Sequence, residues 1–200
     1  MAAAGSEIIV VSGLPRSGTS LMMQMLDRGG FEVVTDNIRT ADTDNPRGYY
    51  EYEPVKKIKH DAAWLPATRG KAVKMVSQLL YDLPATESYR IIFMERDLDE
   101  TLDSQEKMLR RLGQAAAPRE KIRAAFTAHL TSLHAWLGRQ PHMRVLRVAY
   151  AELVERPEGP VRQVGEFLER PCDLESMLRT VDPSLYRNRK PSGETGARGC

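Results

Sequence analysis

The apolar run Ile8-Ile9-Val10-Val11, followed by Gly13-Leu14-Pro15-Arg16-Ser17-Gly18-Thr19-Ser20, constrains the fold of this chain more than any other stretch. The run reads as a buried strand, the glycine-bounded segment as a tight turn, and Leu21-Met22-Met23-Gln24-Met25-Leu26 as the body of a helix. Strand, turn and helix start in that order cradle a phosphate. The first amides of a helix have no partner inside it, and the helix dipole favours negative charge there. The spacing is that of the nucleotide-triphosphate loop, G-x-x-x-x-G-K-[ST], with one change. Thr19 stands where the lysine belongs, and the loop's cation is Arg16. That change points away from ATP or GTP hydrolysis and toward a different phosphate-bearing donor. The competing reading is a plain strand-to-helix turn with a good cap. The two glycines, the hydroxyls of Thr19 and Ser20 and the flanking arginine favour the cradle.

The rest of the chain alternates strands with helices. Strands are expected at 7–12, 31–34, 71–76, 89–95 and 144–148, where apolar residues run or alternate. The first helix is expected over 19–28, with Leu21 and Met25, and Met22 and Leu26, four apart on one face and Gly29-Gly30 as its stop. Further helices are expected at 53–60, with Pro54 in the first turn, and at 98–112, with Leu98, Leu102, Leu109 and Leu112 on one side. A long amphipathic helix carries the stripe Ile122, Phe126, Leu130, Leu133 and Leu137. Short helices follow near 151–155, 160–168 and 174–178. Alternation of this kind implies an α/β fold with a mainly parallel central sheet flanked by helices, right-handed crossovers and a site beyond the carboxyl ends of the strands. The polar stretch 35–48, rich in Asp, Asn, Pro and Gly, has the character of a binding loop.

Bulk properties narrow the function. Two hundred residues suit one domain, expected over 1–190, with the small polar end 191–200 as a loose tail. A net charge of +2 gives no whole-protein case for a nucleic acid or an acidic membrane as partner. The two cysteines, Cys172 and Cys200, have no metal-ligand spacing and make no disulfide framework, so no metal is expected. A reducing, cytoplasmic setting is the expectation, with no leader of signal-peptide type in the first residues and no run long enough to span a membrane.

Beyond the loop, Arg96 closes the strand Ile91-Ile92-Phe93-Met94-Glu95, and Ser104 follows eight residues later on the next helix. An arginine and a hydroxyl so placed can reach one anion near the helix start. The alternative is a surface ion pair of Arg96 with Asp97, Asp99 or Glu100.

At this point Pro15-Arg16-Ser17-Gly18-Thr19-Ser20-x-Met22 resembles the 5′-phosphosulfate loop of the PAPS-dependent sulfotransferases, PAPS being 3′-phosphoadenosine 5′-phosphosulfate. Arg96 and Ser104 are similar to that family's 3′-phosphate pair. Tyr150-Ala151-Glu152-Leu153, Pro157 and Val161-x-x-Val164-x-x-Phe167-Leu168 are similar to its late segment, and Asn45-Pro46-Arg47-Gly48-Tyr49-Tyr50-Glu51 to a segment of bacterial members. The resemblance runs from about Ile8 to Leu168 and is nearer the bacterial, carbohydrate and tyrosyl-protein branch than the small-phenol branch. It implies a P-loop three-layer sandwich and transfer of a sulfuryl group from PAPS, without a metal, to a hydroxyl or amine of a small molecule, carbohydrate or peptide.

The resemblance also distributes roles. Pro15, Arg16, Ser17, Gly18, Thr19 and Ser20 would hold the 5′-phosphosulfate, and Arg96 and Ser104 the 3′-phosphate. Arg16 would act catalytically with Lys74, for which Lys71 is the rival. Asp36 or Glu51 would take the acceptor proton. His129 and His134, five apart on the long helix, read as core or edge histidines, and no motif supports His60 as a base. Two other readings stand beside this one: a magnesium-dependent small-molecule kinase with Ser20 as metal ligand, which the missing lysine at Thr19 opposes, and a non-catalytic nucleotide-binding module.

Overall fold

The computed structural model describes residues 6–36, 38 and 48–182. Five strands, β1 (Ile8–Gly13), β2 (Val33–Val34), β3 (Ala72–Lys74), β4 (Tyr89–Glu95) and β5 (Met143–Ala149), form one sheet in the order β2-β3-β1-β4-β5. Every neighbouring pair is parallel. Among the described residues, six helices connect and flank the strands: α1 (Thr19–Arg28), α2 (Leu98–Arg111), α3 (Arg119–Leu137), α4 (Tyr150–Glu155), α5 (Glu158–Leu168) and α6 (Leu174–Thr180).

The sheet is buried on both faces, which is why β1 reads as an unbroken apolar run. Ile9 and Val11 of β1, Ala72 of β3, Ile92 and Met94 of β4 and Val148 of β5 pack against α1, α4, α5 and α6. The alternate residues Ile8, Val10, Val73, Tyr89, Ile91, Phe93 and Met143 face α3 and the connections around Val55, Leu65 and Leu80. Three layers result. Met22, Met23, Met25 and Leu26 of α1 are fully buried, each worth about 1.5–3 kcal/mol relative to exposure.

Sheet order places the site. From β1 the chain crosses to β2 and β3 on one side, then to β4 and β5 on the other. The crevice where the order reverses lies at the carboxyl end of β1, the usual ligand position in such sheets. Register brings the other strand ends alongside: Val11 pairs with Lys74, Gly13 with Met94, and Glu95 with Ala149.

Several expectations need correction. The helix expected over 53–60 is a single 3-10 stretch, Glu53–Lys57, and two further 3-10 stretches, Leu65–Thr68 and Ser77–Asp82, had no helical periodicity to announce them. The strand expected at 71–76 keeps only Ala72–Lys74 and that at 31–34 only Val33–Val34. Leu102 of α2 is buried, but Leu112, expected on the same apolar side, lies just past the helix end and is exposed. The tail 191–200 and most of the expected binding loop, including Asn45, Pro46 and Arg47, lie outside the described residues.

Candidate functional site

The turn after β1 is built from backbone that ordinary side chains would spoil. Gly18 sits at φ 101° in the left-handed region and directly precedes α1. A Cβ there would fall on the Tyr150 ring, 2.7 Å from Cε2. A Cβ on Gly13 would lie 2.6 Å from the Met94 carbonyl and meet the Ser17 hydroxyl. Arg16 takes φ 70°, a conformation uncommon outside glycine. The Ser17 amide donates to the Leu14 carbonyl at 3.2 Å, closing the turn. Among the described residues, no side chain caps the start of α1, and the buried Ser17 hydroxyl has no hydrogen-bond partner. Unmet helix amides beside an orphaned hydroxyl suit an anion.

Arg96 closes on this turn from β4. Its side chain is only 8% exposed, and Nη1 donates to the Arg16 carbonyl at 3.2 Å. Its Nε donates to Glu100 Oε2 at 3.1 Å, and its guanidinium lies 4.6 Å from the centre of the Tyr150 ring. Arg16 reaches across in turn: its Nε donates to Ser104 Oγ at 3.0 Å. So Arg16, Arg96 and Ser104 are brought together in one bonded group. The ion pair weighed as the alternative for Arg96 is also present, with Glu100, but it is buried and faces the turn. Asp97 instead caps α2, accepting from the amides of Asp99 and Glu100. Asp99 pairs with Arg119 and Arg123 of α3.

Lys74, the last residue of β3, arrives from the other side. Its Nζ donates to Ser20 Oγ at 3.3 Å and to the Tyr49 carbonyl, which also accepts from Ser20 Oγ at 3.4 Å. The rival Lys71 precedes β3, and its Nζ lies 2.5 Å from Glu32 Oε1, away from the turn.

The two candidate acids differ. Asp36 Oδ2 accepts from the Glu53 amide at 2.6 Å and Oδ1 from the Ile38 amide at 3.0 Å. Those two amide bonds, the Glu53 one first, hold its carboxyl below the ordinary aspartate range. It ties its own loop to the start of the Glu53–Lys57 turn. Glu51 lies two residues from Tyr49, with Oε2 4.0 Å from Lys56 Nζ. Its backbone carbonyl accepts from Thr35 Oγ1 and the Asp36 amide.

The histidines sit apart from this group. His129 Nε2 is 2.9 Å from the buried Ser77 hydroxyl, and burial lowers its pKa. His134 stacks edge-on against Phe93 and lies 3.5 Å from Glu95. Burial first, then Arg147, lowers its pKa. Two participants had no individual role in the sequence reading: Tyr150, which fills the space above Gly18, and the Tyr49 carbonyl, which holds Lys74. Tyr150 was legible only as part of the late segment.

Comparison with known proteins agrees with the fold and the family. The family model of the sulfotransferase domain matches residues 6–193. This chain belongs to that family. Among solved structures, the sulfotransferase domain of the Synechococcus PCC 7002 olefin synthase superposes with a TM-score of 0.58 at 14% identity, covering 94% of this chain and 90% of the other. Sulfotransferase STF9 from Mycobacterium avium gives 0.54 at 15% identity, over 90% and 67%. The sulfotransferase domain from the curacin biosynthetic pathway gives 0.50 at 15%, over 88% and 78%. At these identities the likeness is one of fold. No curated protein matches the chain.

The donor that sulfotransferases generally use suits these residues. The orphaned Ser17 hydroxyl, the bare Gly13 and Gly18 and the cations Arg16, Arg96 and Lys74 make a set of donors for an anion, with hydroxyls at Ser20 and Ser104.

Proposed function

We propose that this chain transfers a sulfuryl group from PAPS to a hydroxyl or amine acceptor, which is a small molecule, a carbohydrate or a peptide. One observation carries the reading. The ends of β1, β3 and β4 bring Arg16, Lys74 and Arg96 to a single turn whose helix start has no side-chain cap among the described residues. A turn that only joined a strand to a helix would not need three converging cations.

When bound, the donor supplies the sulfuryl group and the phosphate that departs from it. Arg16 and the amides of residues 17–20, with Pro15 shaping the turn, would hold the 5′-phosphosulfate. They would also stabilise charge growing on the departing oxygen, a role that fixed cations and N–H groups fill without reorganising. Arg96 and Ser104 would hold the 3′-phosphate by charge-assisted bonds. Arg16 must then exchange its bond to Ser104 for the anion. Lys74, placed by the Tyr49 carbonyl, would meet the transferring group. Of the two acids, Asp36 already spends both oxygens on backbone amides, so the acceptor proton falls to Glu51. A single domain over 1–190 belongs to the proposal; the family match itself runs from 6 to 193. No helix among the described residues is long and apolar enough to cross a membrane. A cytoplasmic site of action belongs to the proposal on the cysteine argument.

Calorimetry with adenosine 3′,5′-bisphosphate against AMP tests the donor. The bisphosphate is expected to bind more tightly, and Arg96→Ala to remove most of that preference, about 1.5–3 kcal/mol for one charge-assisted contact. Equal affinities in the wild-type chain would end the reading.

A further inference from the structure

We propose that Glu100 is a positioning residue: it sets the plane of the Arg96 guanidinium and so determines how well the site selects a 3′-phosphate. The inference rests on the donor reading above. It begins from a carboxylate that the mechanism does not use. Glu100 is 5% exposed, and its Oε2 accepts from Arg96 Nε at 3.1 Å. The start of α2 does not call for it. Asp97 already caps the helix, and Asp99 adds negative charge to the first turn. Burying a carboxylate is unfavourable unless a partner and hydrogen bonds compensate it. One such partner here is the arginine that faces the turn.

Three contacts bear on the orientation of Arg96. The Arg16 carbonyl takes Nη1 at 3.2 Å, and the Tyr150 ring lies over the guanidinium at 4.6 Å. Glu100 takes Nε, the donor nearest the stem. A ring contact tolerates rotation within the plane, and a carbonyl bond at one Nη tolerates pivoting about it. A bond at Nε opposes both motions, so it helps to hold the guanidinium edge in one direction before any ligand arrives. Preorganisation of this kind raises affinity by lowering the ordering cost of binding. The carboxylate also subtracts a charge from the site, which would act in the opposite direction. The two effects therefore predict opposite signs.

The experiment compares the full chain with Glu100→Ala, Glu100→Asp, Glu100→Gln and Arg96→Ala. Calorimetry gives for each the ratio of affinities for adenosine 3′,5′-bisphosphate and AMP. Glu100→Ala and Glu100→Asp, which remove or shorten the reach to Nε, are expected to lower the ratio about tenfold, the scale of one lost charged contact. Glu100→Gln keeps an acceptor at the same place and is expected to stay within about threefold of wild type. A merely structural loss would weaken both ligands together and leave the ratio alone. If Glu100→Ala does not fold, the contrast of Asp with Gln decides. An unchanged or raised ratio in the Ala variant, or a ratio kept by Asp and lost by Gln, overturns the positioning role, provided Arg96→Ala collapses the ratio. If Arg96→Ala leaves the ratio at its wild-type value, the donor reading itself fails and this role fails with it.

Discussion

Arg90 and Arg96 belong to the same stretch of chain, six residues apart, and are almost equally buried, with side chains 6% and 8% exposed. Arg90, near the start of β4, is enclosed by acceptors: Glu7, the Phe167 carbonyl and, at 2.7 Å, Glu169, which Arg144 also meets at 2.7 Å. It ties the amino end of the sheet to the end of α5. Arg96, past the end of β4, meets Glu100, the Arg16 carbonyl and the Tyr150 ring, and so closes on the turn that carries Arg16 and the buried Ser17 hydroxyl. Burial alone therefore does not mark a functional arginine. On the proposed reading the two differ in what they adjoin: Arg90 joins Glu7 and Glu169 to the end of α5, whereas Arg96 adjoins the turn that would take the donor.

The contrast can be broken most sharply at the two ends of β3. Lys74→Ala is expected to lower turnover about 10²–10³-fold, the usual cost of losing one donor to developing charge. Lys71→Ala, at the opposite end, is expected to leave turnover within about twofold, since its partner Glu32 serves only the surface. Release of adenosine 3′,5′-bisphosphate from PAPS, with a panel of sugar and aryl alcohols as acceptors, measures both. Equal losses would remove the distinction between the edges. Arg90→Ala comes next. It leaves the largely covered Glu7 carboxylate without its guanidinium and is expected to cost about 3 kcal/mol of stability, measured by urea unfolding. The preference for the bisphosphate over AMP should be retained. A lost preference would mean that Arg90 also serves the site.

Much of this arrangement was legible in the sequence, because it is local. The bounds expected for α1 and β4 are the observed ones, since a run of four buried methionine and leucine residues and an unbroken apolar strand leave little freedom. The turn from Gly13 to Ser20 declared itself by its glycines. What sequence could not supply was contact between strand ends. Tyr150 reaches Gly18 and Arg96 only because β5 lies beside β4, and Lys74 meets Ser20 only because β3 lies beside β1. For Arg96 the two readings, ion pair and anion site, turned out to be compatible, since Glu100 pairs with it on the buried side. Nothing beside Asp36 in the sequence announced that the chain returns at Glu53, whose amide bonds its Oδ2. The 3-10 stretches, short and proline-started or irregular, carry no 3.6-residue period to detect.

The amino end of the sheet should also carry its own pH signature. Arg90 first, then Arg144, holds the Glu169 carboxyl down to about 2 from an ordinary 4.5. In the unfolded chain, without those guanidinium groups, it titrates near the ordinary value. A depressed folded pKa means that the unfolded state binds the proton first. The stabilisation is therefore complete above about pH 4.5 and is lost as pH falls toward 2. Glu169→Gln removes the titrating group. Its unfolding free energy is expected to lie below wild type at neutral pH and to approach it through that acid window, so that the two curves converge. The side chain is half exposed, so salt screens the pair and the effect is the smallest of those considered. Curves that ran parallel from pH 7 to 2 would show that the Arg90 cluster holds the sheet by packing and hydrogen bonds rather than by this charge. The difference drawn between the two arginines would then rest on geometry alone.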